Sequence, residues 1–416
     1  REIIEDYSAI PRFLQQQYNV VNGSDRGRIW RLLPEKAKAP ALADMSGYAT
    51  GQLVEAIAHP NAWWRLTAQR LLVERQDRAA APALKAMVRS AHTPQARVHA
   101  LYTLDGIGLL DASDVAEVLD DPTFGVRMNG LMLAERWLDS NARLLAKVLT
   151  MTDDNHAKVR LQLAMSLGES SDAAAATALL KLAIHHGQEQ WMPSAILSSA
   201  RNIAGTLLVQ LLEAGKLTPG ARALLEPLAA TVGARREGRQ IARALELALL
   251  HDQEIHIQTL KGILAGISRG SDPLETASVN WTSIHEFLAS DSHQVRVYGM
   301  RLASQVNIDR SPAMQKRFDR LGKKAHDNDE SVEVRKEAIT ELAFAPYETL
   351  APTAKQLMDP RQPPALQEAA IKALASSDRL EVGPALLARW EGFTPALRKT
   401  ALNALFAREN RLPALL

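Results

Sequence analysis

Histidine is the side chain in this 416-residue sequence most suited to metal binding or proton transfer, and the eleven histidines are scattered. A zinc site needs convergent ligands, usually cysteine, histidine and carboxylate groups. The chain has no cysteine and no His-x-x-x-His or His-Glu-x-x-His spacing, and its one His-Glu pair is His285-Glu286. His185 and His186 end a predicted helix, where histidine suits the negative end of the helix dipole. We therefore predict no metal site and no cofactor.

Trp63 and Trp64 form the most distinctive aromatic feature of the sequence. An exposed tryptophan pair could stack on a sugar or on a nucleic acid base. The interpretation that we favour is structural: one tryptophan packs in the core between repeats, and the other seals a junction with a preceding domain. We keep both residues as part of a possible interaction patch.

Two stripes of basic residues are candidates for binding anions or acidic partners. The first is predicted to lie near one face of a helix, because residues four apart are neighbours there, and it consists of Arg235, Arg236, Arg239 and Arg243. Arginine can bind phosphate or carboxylate through two parallel hydrogen bonds. The second consists of Lys316, Arg317, Arg320, Lys323 and Lys324, and three acidic residues follow it, at positions 327, 329 and 330. Solvated helix surface explains both stripes, and we retain the arginine stripe as the better candidate patch.

The overall composition argues against enzymes and nucleic acid binding. Lys and Arg number 49 against 47 Asp and Glu, a formal charge of +2, whereas phosphate contacts dominate affinity for DNA. The sequence has no phosphate-binding glycine loop and no nucleophile elbow. No apolar run approaches the roughly 20 residues that span a bilayer. We predict a non-enzymatic chain with no nucleic acid partner and no membrane span.

From about Ala49 onward, one pattern recurs: an amphipathic helix, a short turn rich in Asp, Pro and Ser, and a second helix that often opens with Val-Arg. The clearest copies lie at 59–65, 121–127, 154–160, 291–296, 330–335 and 394–398. Such turns cap helix starts, because Asp, Ser or Thr accepts hydrogen bonds from exposed amides and Pro fits the first helical turn. The positions predicted to face inward include Val126, Leu131 and Leu133, Val159, Leu163 and Met165, and Val334, Ala338 and Leu342.

One helix pair cannot bury its apolar face alone, so neighbouring pairs must stack into a continuous core. The pattern resembles HEAT repeats, and eleven copies are recognisable. We predict an all-α fold over residues 49–416, a right-handed α-solenoid of about eleven HEAT-like helix pairs, preceded by a short non-helical segment. The resemblance implies that the recurring arginine pairs with an aspartate of the adjoining turn and links one pair to the next.

The two ends of the chain differ from the repeats. Residues 1–34 contain a turn and a short predicted strand at 25–32, which would need partner strands further upstream, and residues 35–48 read as a linker. Residues 412–416 resemble the start of another first helix. We therefore expect this chain to be part of a longer polypeptide.

The segments at 6–11 and 25–32, the latter Asp-Arg-Gly-Arg-Ile-Trp-Arg-Leu, resemble the closing strand region of a propeller in the PVC-type dehydrogenase-like proteins of planctomycetes and verrucomicrobia. Residues 59–75 resemble that family's opening repeat, His-Pro-Asn-x-Trp-Trp-Arg-x-Thr-Ala-Gln-Arg-Leu-Leu. In that family a sugar-dehydrogenase-like β-propeller precedes a HEAT-repeat region, and a c-type cytochrome or haem-binding domain follows it. The resemblance is specific over residues 1–75 and generic afterwards.

The resemblance implies a periplasmic or otherwise exported protein whose partners are the flanking propeller and haem-binding domains. No catalytic or haem-ligating residue of that family falls within this chain, so any dehydrogenase activity belongs to the parent polypeptide. The favoured function is a non-catalytic scaffold that links the two domains. The alternatives are a free-standing HEAT adaptor protein and, less favoured, a HEAT-like DNA glycosylase-type nucleic-acid enzyme.

Overall fold

The computed structural model describes residues 10–18, 35, 44–270, 273–276 and 279–415. The chain divides into two compact units, Arg1–Ala49 and Thr50–Leu416. In the first unit the described residues include one helix, α1 (Arg12–Tyr18). The prediction of a wholly non-helical segment at 1–34 was therefore wrong at this point, because Pro11 starts a helical turn and its carbonyl accepts a hydrogen bond from the Leu14 amide at 2.9 Å. The strand predicted at 25–32 lies outside the described residues, and the linker at 35–48 stays a prediction.

The second unit is built from consecutive helix pairs, and we call the first helix of each pair its A helix and the second its B helix. The pairs are α2 (Thr50–Ala56) and α3 (Ala62–Glu74); α4 (Ala81–Ser90) and α5 (Pro94–Gly106); α6 (Ala112–Val118) and α7 (Phe124–Ala134); α8 (Ala142–Leu149) and α9 (Ala157–Ser166); α10 (Ala173–His186) and α11 (Met192–Ser199); α12 (Ala204–Glu213) with α13 (Pro219–Arg222) and α14 (Leu225–Arg235); α15 (Gly238–Ala248) and α16 (Gln253–Ile267); α17 (Thr282–Leu288) and α18 (His293–Gln305); α19 (Pro312–His326) and α20 (Val332–Leu342); α21 (Tyr347–Leu357) and α22 (Pro364–Ser376); α23 (Val382–Leu387) and α24 (Pro395–Phe406). Within the ranges that the structure describes this makes eleven pairs, and the predicted all-α solenoid is confirmed.

The starts of the B helices follow the predicted capping chemistry. The Thr93 side chain accepts a hydrogen bond from the Ala96 amide, Ser292 from Val295 and Thr394 from Leu397. Each such oxygen satisfies an amide that has no partner within its own helix. Short 3₁₀ turns at Arg78–Ala80, Glu135–Trp137, Thr150–Asp153, Leu167–Glu169, Trp390–Gly392 and Glu409–Leu415 adjoin helix ends.

The core lies between the stacked pairs, where most B helices pack on the B helix of the next pair. Most positions predicted to face inward are buried, including Val126, Leu131 and Leu163. The prediction for Met165 was wrong, because its side chain is 43% exposed. Met165 follows the buried Val159 by six residues, which places it roughly 240° around the helix at 3.6 residues per turn. Met165 therefore lies on the outer face. Val334, also predicted to face inward, is only half-buried.

The B helices of pairs 6 and 7, α14 and α16, approach each other more closely than side chains normally allow. A Cβ atom on Gly262 would lie 2.4 Å from the Glu226 carbonyl oxygen, and one on Gly266 would lie 2.1 Å from that of Ala230. Only glycine permits this contact of backbone with backbone. The spacing Gly262-x-x-x-Gly266 places both glycines on one face of α16.

Candidate protein-interaction surface

Arginines four residues after the N-cap of the B helices link neighbouring pairs. Arg127 donates from Nη1 to the Asp121 carbonyl at 2.7 Å, within its own turn. It also reaches Asp154 of the next turn, from Nε at 2.7 Å and from Nη2 at 2.9 Å. Arg97 binds Asp121 in the same way, at 2.6 and 3.0 Å. The predicted pairing of this arginine with an aspartate of the adjoining turn is confirmed for Arg97 and Arg127. We call the series of arginines at this position the arginine ladder.

The arginine ladder varies where the next turn offers different chemistry. Arg160 pairs with Glu189 rather than with an aspartate. Arg65 donates to the carbonyls of His59 and Pro60, at 2.8 and 2.7 Å, and the turn of pair 2 has no acidic residue. In pair 7, His256 occupies the arginine position. Its two ring nitrogens are buried without a hydrogen-bond partner among the residues that the structure describes.

His256 is expected to make the stability of the fold depend on pH. Burial is the main cause that lowers its pKa below the ordinary value of 6.5. A histidine whose pKa is lowered by folding contributes stability above pH 6.5 that is lost as the pH falls, because the unfolded chain takes up the proton more readily. Burial lowers the pKa values of His99 and His326 as well. We therefore expect the melting temperature to fall between about pH 7 and pH 5.

Thermal unfolding followed by circular dichroism tests this expectation. The His256→Gln variant should lose less stability over the same pH interval than the parent protein, because its side chain takes up no proton. His92→Gln, at an exposed position in the turn of pair 2, is the matched control and should follow the parent curve. An unchanged pH dependence in His256→Gln would show that other groups cause the loss.

The outer face of the B helices carries an apolar surface over pairs 1 to 4. Positions five and nine residues after each N-cap are Leu66 and Arg70, Val98 and Tyr102, Met128 and Met132, and Leu161 and Met165. Seven of these eight side chains are apolar or aromatic, and Leu66, Met132 and Met165 are 57%, 44% and 43% exposed. We call this surface the apolar half of the B face.

The same positions over pairs 8 to 11 have a different chemistry. They are Val297 and Arg301, Lys336 and Thr340, Glu368 and Lys372, and Lys399 and Asn403. Four of them are cations and one is an anion. A groove of about 400 Å³ is lined by Lys336 and Lys372. A second groove, of about 590 Å³, is lined by Lys372 and Lys399. We call this surface the basic half of the B face.

Neither half of the B face was predicted as a site from the sequence. Both become visible only when the B helices are aligned on their N-caps, because positions five and nine residues later lie away from the core in pairs 1 to 4 and 8 to 11, whereas in pair 5 the same positions, Ile196 and Ala200, are buried. The turn signals that identify the N-caps are present in the sequence, so the B helices could have been aligned from the sequence alone.

The tryptophan pair does not fill the core. Trp63 is 52% exposed and Trp64 is half-buried, and their rings meet edge to face at 6.0 Å. Trp64 also stacks on His59 at 4.7 Å. The prediction that one tryptophan packs between repeats was wrong, because Ala68 and Leu72 fill the core side of α3. Sealing of a domain junction stays a prediction, and so does the pair's place in an interaction patch.

The arginine stripe does not lie on one helix. Arg235 ends α14, Arg236 has a positive φ of 56°, and Arg239 and Arg243 belong to α15. The left-handed residue ends the B helix of pair 6, and Gly238 starts the next A helix. The predicted neighbours Arg235 and Arg239 are therefore separated by a helix break.

Most of the stripe is engaged in contacts within the solenoid. Arg235 and Arg236 donate to the carbonyls of Arg201 and Ile267. Arg243 binds Glu213 at 3.0 Å. Arg239, which is 84% exposed, lies 3.9 Å from Glu275. Arg239 is the member most accessible to a partner, and a role of the stripe in binding stays a prediction.

Across the described ranges, no group of three or more His, Asp or Glu side chains could hold a metal ion. In the same part of the chain, no helix is both long and apolar enough to cross a membrane.

The fold and the arginine ladder together define the chain as a HEAT-like helical solenoid. No protein-family model and no curated protein matches the chain. Among solved structures, Kap121p bound to Nup53p is 14% identical with a TM-score of 0.37, over 88% of this chain and 40% of that one. Kap95p, in a complex with RanGDP, is 13% identical with a TM-score of 0.37, over 89% and 58%. An engineered protein is 14% identical with a TM-score of 0.31, over 87% and 98%. The chain thus spans 40% of the Kap121p chain and 58% of the Kap95p chain.

Proposed function

We propose that this chain is a non-catalytic scaffold that binds another protein along its B face. The observation that carries the proposal is the apolar half, where apolar or aromatic side chains recur over four neighbouring helices and Leu66, Met132 and Met165 are exposed. Contiguous exposed apolar surface marks interaction sites, and methionine adapts to partners of varied shape. The basic half extends the same face and suits an acidic portion of the partner, because complementary charge favours association and register.

The resemblance of residues 1–75 supports a more specific role within this function. In this role the solenoid links a dehydrogenase-like propeller to a haem-binding domain in a larger exported protein, and those domains are its partners. The arginine ladder fits such a spacer, because buried ion pairs between turns hold successive pairs in a fixed geometry. A free-standing adaptor that binds a separate protein through the same face is the second candidate.

Site-specific photo-crosslinking in the source cells tests the docking face. A photoreactive phenylalanine analogue at position 132 or 165 places the probe on the apolar half of the B face. The same analogue at Arg143, an exposed residue of the A helix of pair 4, is the matched control. We expect one discrete crosslinked product from both B-face positions, either to a flanking domain of the same polypeptide or to a separate protein, and none from the control. Capture from the A helix alone, or no discrete product from positions 132 and 165, would contradict the proposal.

A further inference from the structure

A cleft of about 520 Å³ lies between pairs 8 and 9, and basic side chains line it. Its apolar lining includes Leu288, Leu321 and Ala338. One helix, α19, contributes Arg317, Arg320 and Lys324. The spacing of three and four residues places these cations on one face of the helix. We call this site the anion cleft.

A buried carboxylate organises the inner end of the anion cleft. Glu341 is 1% exposed and accepts hydrogen bonds from Arg296 Nε at 2.7 Å and from Arg317 Nη2 at 2.9 Å. Arg296 also binds Glu337, through Nη2 at 2.7 Å, and donates from Nη1 to two backbone carbonyls. The Nδ1 atom of His293 lies 3.3 Å from Glu341. The negative charges of Glu337 and Glu341 therefore offset the positive charges of Arg296 and Arg317. The hydrogen bond to Glu341 orients the Arg317 guanidinium.

The outer part of the anion cleft retains positive charge on Arg320 and Lys324, and no carboxylate of the described residues is hydrogen-bonded to either side chain. Arg317 binds Glu341 through Nη2, and its buried Nε has no hydrogen-bond partner among the residues that the structure describes. No carboxylate of those residues lies within 4 Å of Arg320, whose Nε donates only to the Lys316 carbonyl at 3.4 Å. Lys324 has its nearest carboxylate, Glu330, at 3.8 Å. Asp291 is the one acidic side chain of the lining outside the Glu341 cluster, and it is exposed.

We propose that the anion cleft binds a phosphate group. Guanidinium and ammonium groups form their strongest hydrogen bonds with oxyanions. Arg317, Arg320 and Lys324 together offer more donors than the two oxygens of a single carboxylate accept readily, whereas phosphate has more acceptor oxygens and carries up to two charges. Glu341 holds Arg317 in place before the ligand arrives, which lowers the entropic cost of binding. The site lies on an A helix and does not depend on the function of the B face.

Titration with inorganic phosphate at constant ionic strength tests the proposal, with the arginine Nε–Hε signals of the whole chain followed by NMR. We expect a saturable shift of the Arg317 and Arg320 signals with a dissociation constant on the order of a millimolar. The double variant Arg320→Gln, Lys324→Gln should bind at least about tenfold more weakly, because two of the three donors are lost. Both residues are exposed, and an unchanged melting temperature will confirm that the variant folds.

A matched variant distinguishes specific phosphate binding in the anion cleft from attraction to the overall positive charge of α19. Lys316→Gln, Lys323→Gln removes the same charge from the same helix, at two exposed positions outside the cleft lining. It should bind phosphate as the parent protein does. Absence of a saturable shift, equal weakening by both double variants, or an equal response to glutamate in place of phosphate would each overturn the proposal.

Discussion

Replacing Gly266 by alanine is expected to lower the free energy of unfolding by about 3 kcal/mol, within the range of severe overpacking. The added Cβ would lie 2.1 Å from the carbonyl oxygen of Ala230 and 2.6 Å from the amide nitrogen of Ala234. Both are backbone atoms of α14, so the clash cannot be relieved by a side-chain rotation. The helices α14 and α16 must move apart, which opens the interface between pairs 6 and 7. Urea denaturation measures the loss, and hydrogen exchange should show faster exchange concentrated in these two helices.

Gly125→Ala is the matched control for this change. Gly125 also lies within a B helix, α7, but a Cβ there would meet nothing within 4 Å. Alanine is the better helix former by up to about 1 kcal/mol, so this variant should be neutral or slightly more stable. A Gly266→Ala protein as stable as Gly125→Ala would show that the contact between α14 and α16 is not as close as described.

Replacing Asp154 by alanine should also lower the free energy of unfolding by about 3 kcal/mol, the cost of breaking a buried ion pair. Asp154 and Arg127 are only 8% and 11% exposed in their side chains. Loss of the carboxylate leaves the guanidinium buried with fewer partners and removes this ion pair between pairs 3 and 4. Burial works against the charged Asp154, but hydrogen bonds from Arg127 and from the His156 amide outweigh it, so its pKa is lowered. The stability that Asp154 contributes is therefore present above pH 3.8, the ordinary pKa of an aspartate. It is lost as the pH falls below that value.

The neighbouring residue provides a control at almost the same place in the sequence. Asp153 pairs with Lys181, and both side chains are exposed. Exposed ion pairs contribute little because water and salt screen them. Asp153→Ala should therefore change the urea midpoint far less than Asp154→Ala does. Equal effects of the two substitutions would contradict the role given to the arginine ladder.

The repeat architecture was predictable because its signals are local. Each turn carries a capping residue, a proline or a Val-Arg step within a few residues, so eleven pairs could be counted without knowledge of their packing. The ladder contact from Arg127 to Asp154 followed from the resemblance to HEAT repeats. Predicting these features requires only the residues of one turn and of the next turn along the chain.

The errors arose where local pattern and three-dimensional context differ. The basic spacing around Arg235 suggested one helix, but the positive φ of Arg236 breaks it, and arginine gives no sequence signal for that conformation. Met165 was assigned inward because it is apolar, although its position in the helix turns it outward. One tryptophan of the Trp63-Trp64 pair was expected in the core for the same reason, but neither side chain is fully buried. For Met165 and the tryptophan pair, residue type was given more weight than position in the helix.

The cluster around Glu341 could not be predicted, because its members are distant in the sequence. Arg296 and Glu341 are 45 residues apart, and Arg317 comes from the intervening A helix. The lysines and arginines of α19 were noted as a stripe, but only the fold separates Arg320 and Lys324 in the cleft from Lys316 and Lys323 outside its lining.

The intact mass and the visible absorption spectrum of the native polypeptide, purified from its source, test the proposed linking role most directly. We predict a mass well above the 45.6 kDa of this chain, together with the Soret band of a haem group. A native mass near 45.6 kDa without haem absorption would contradict the linking role and leave a free-standing adaptor that binds its partner through the B face.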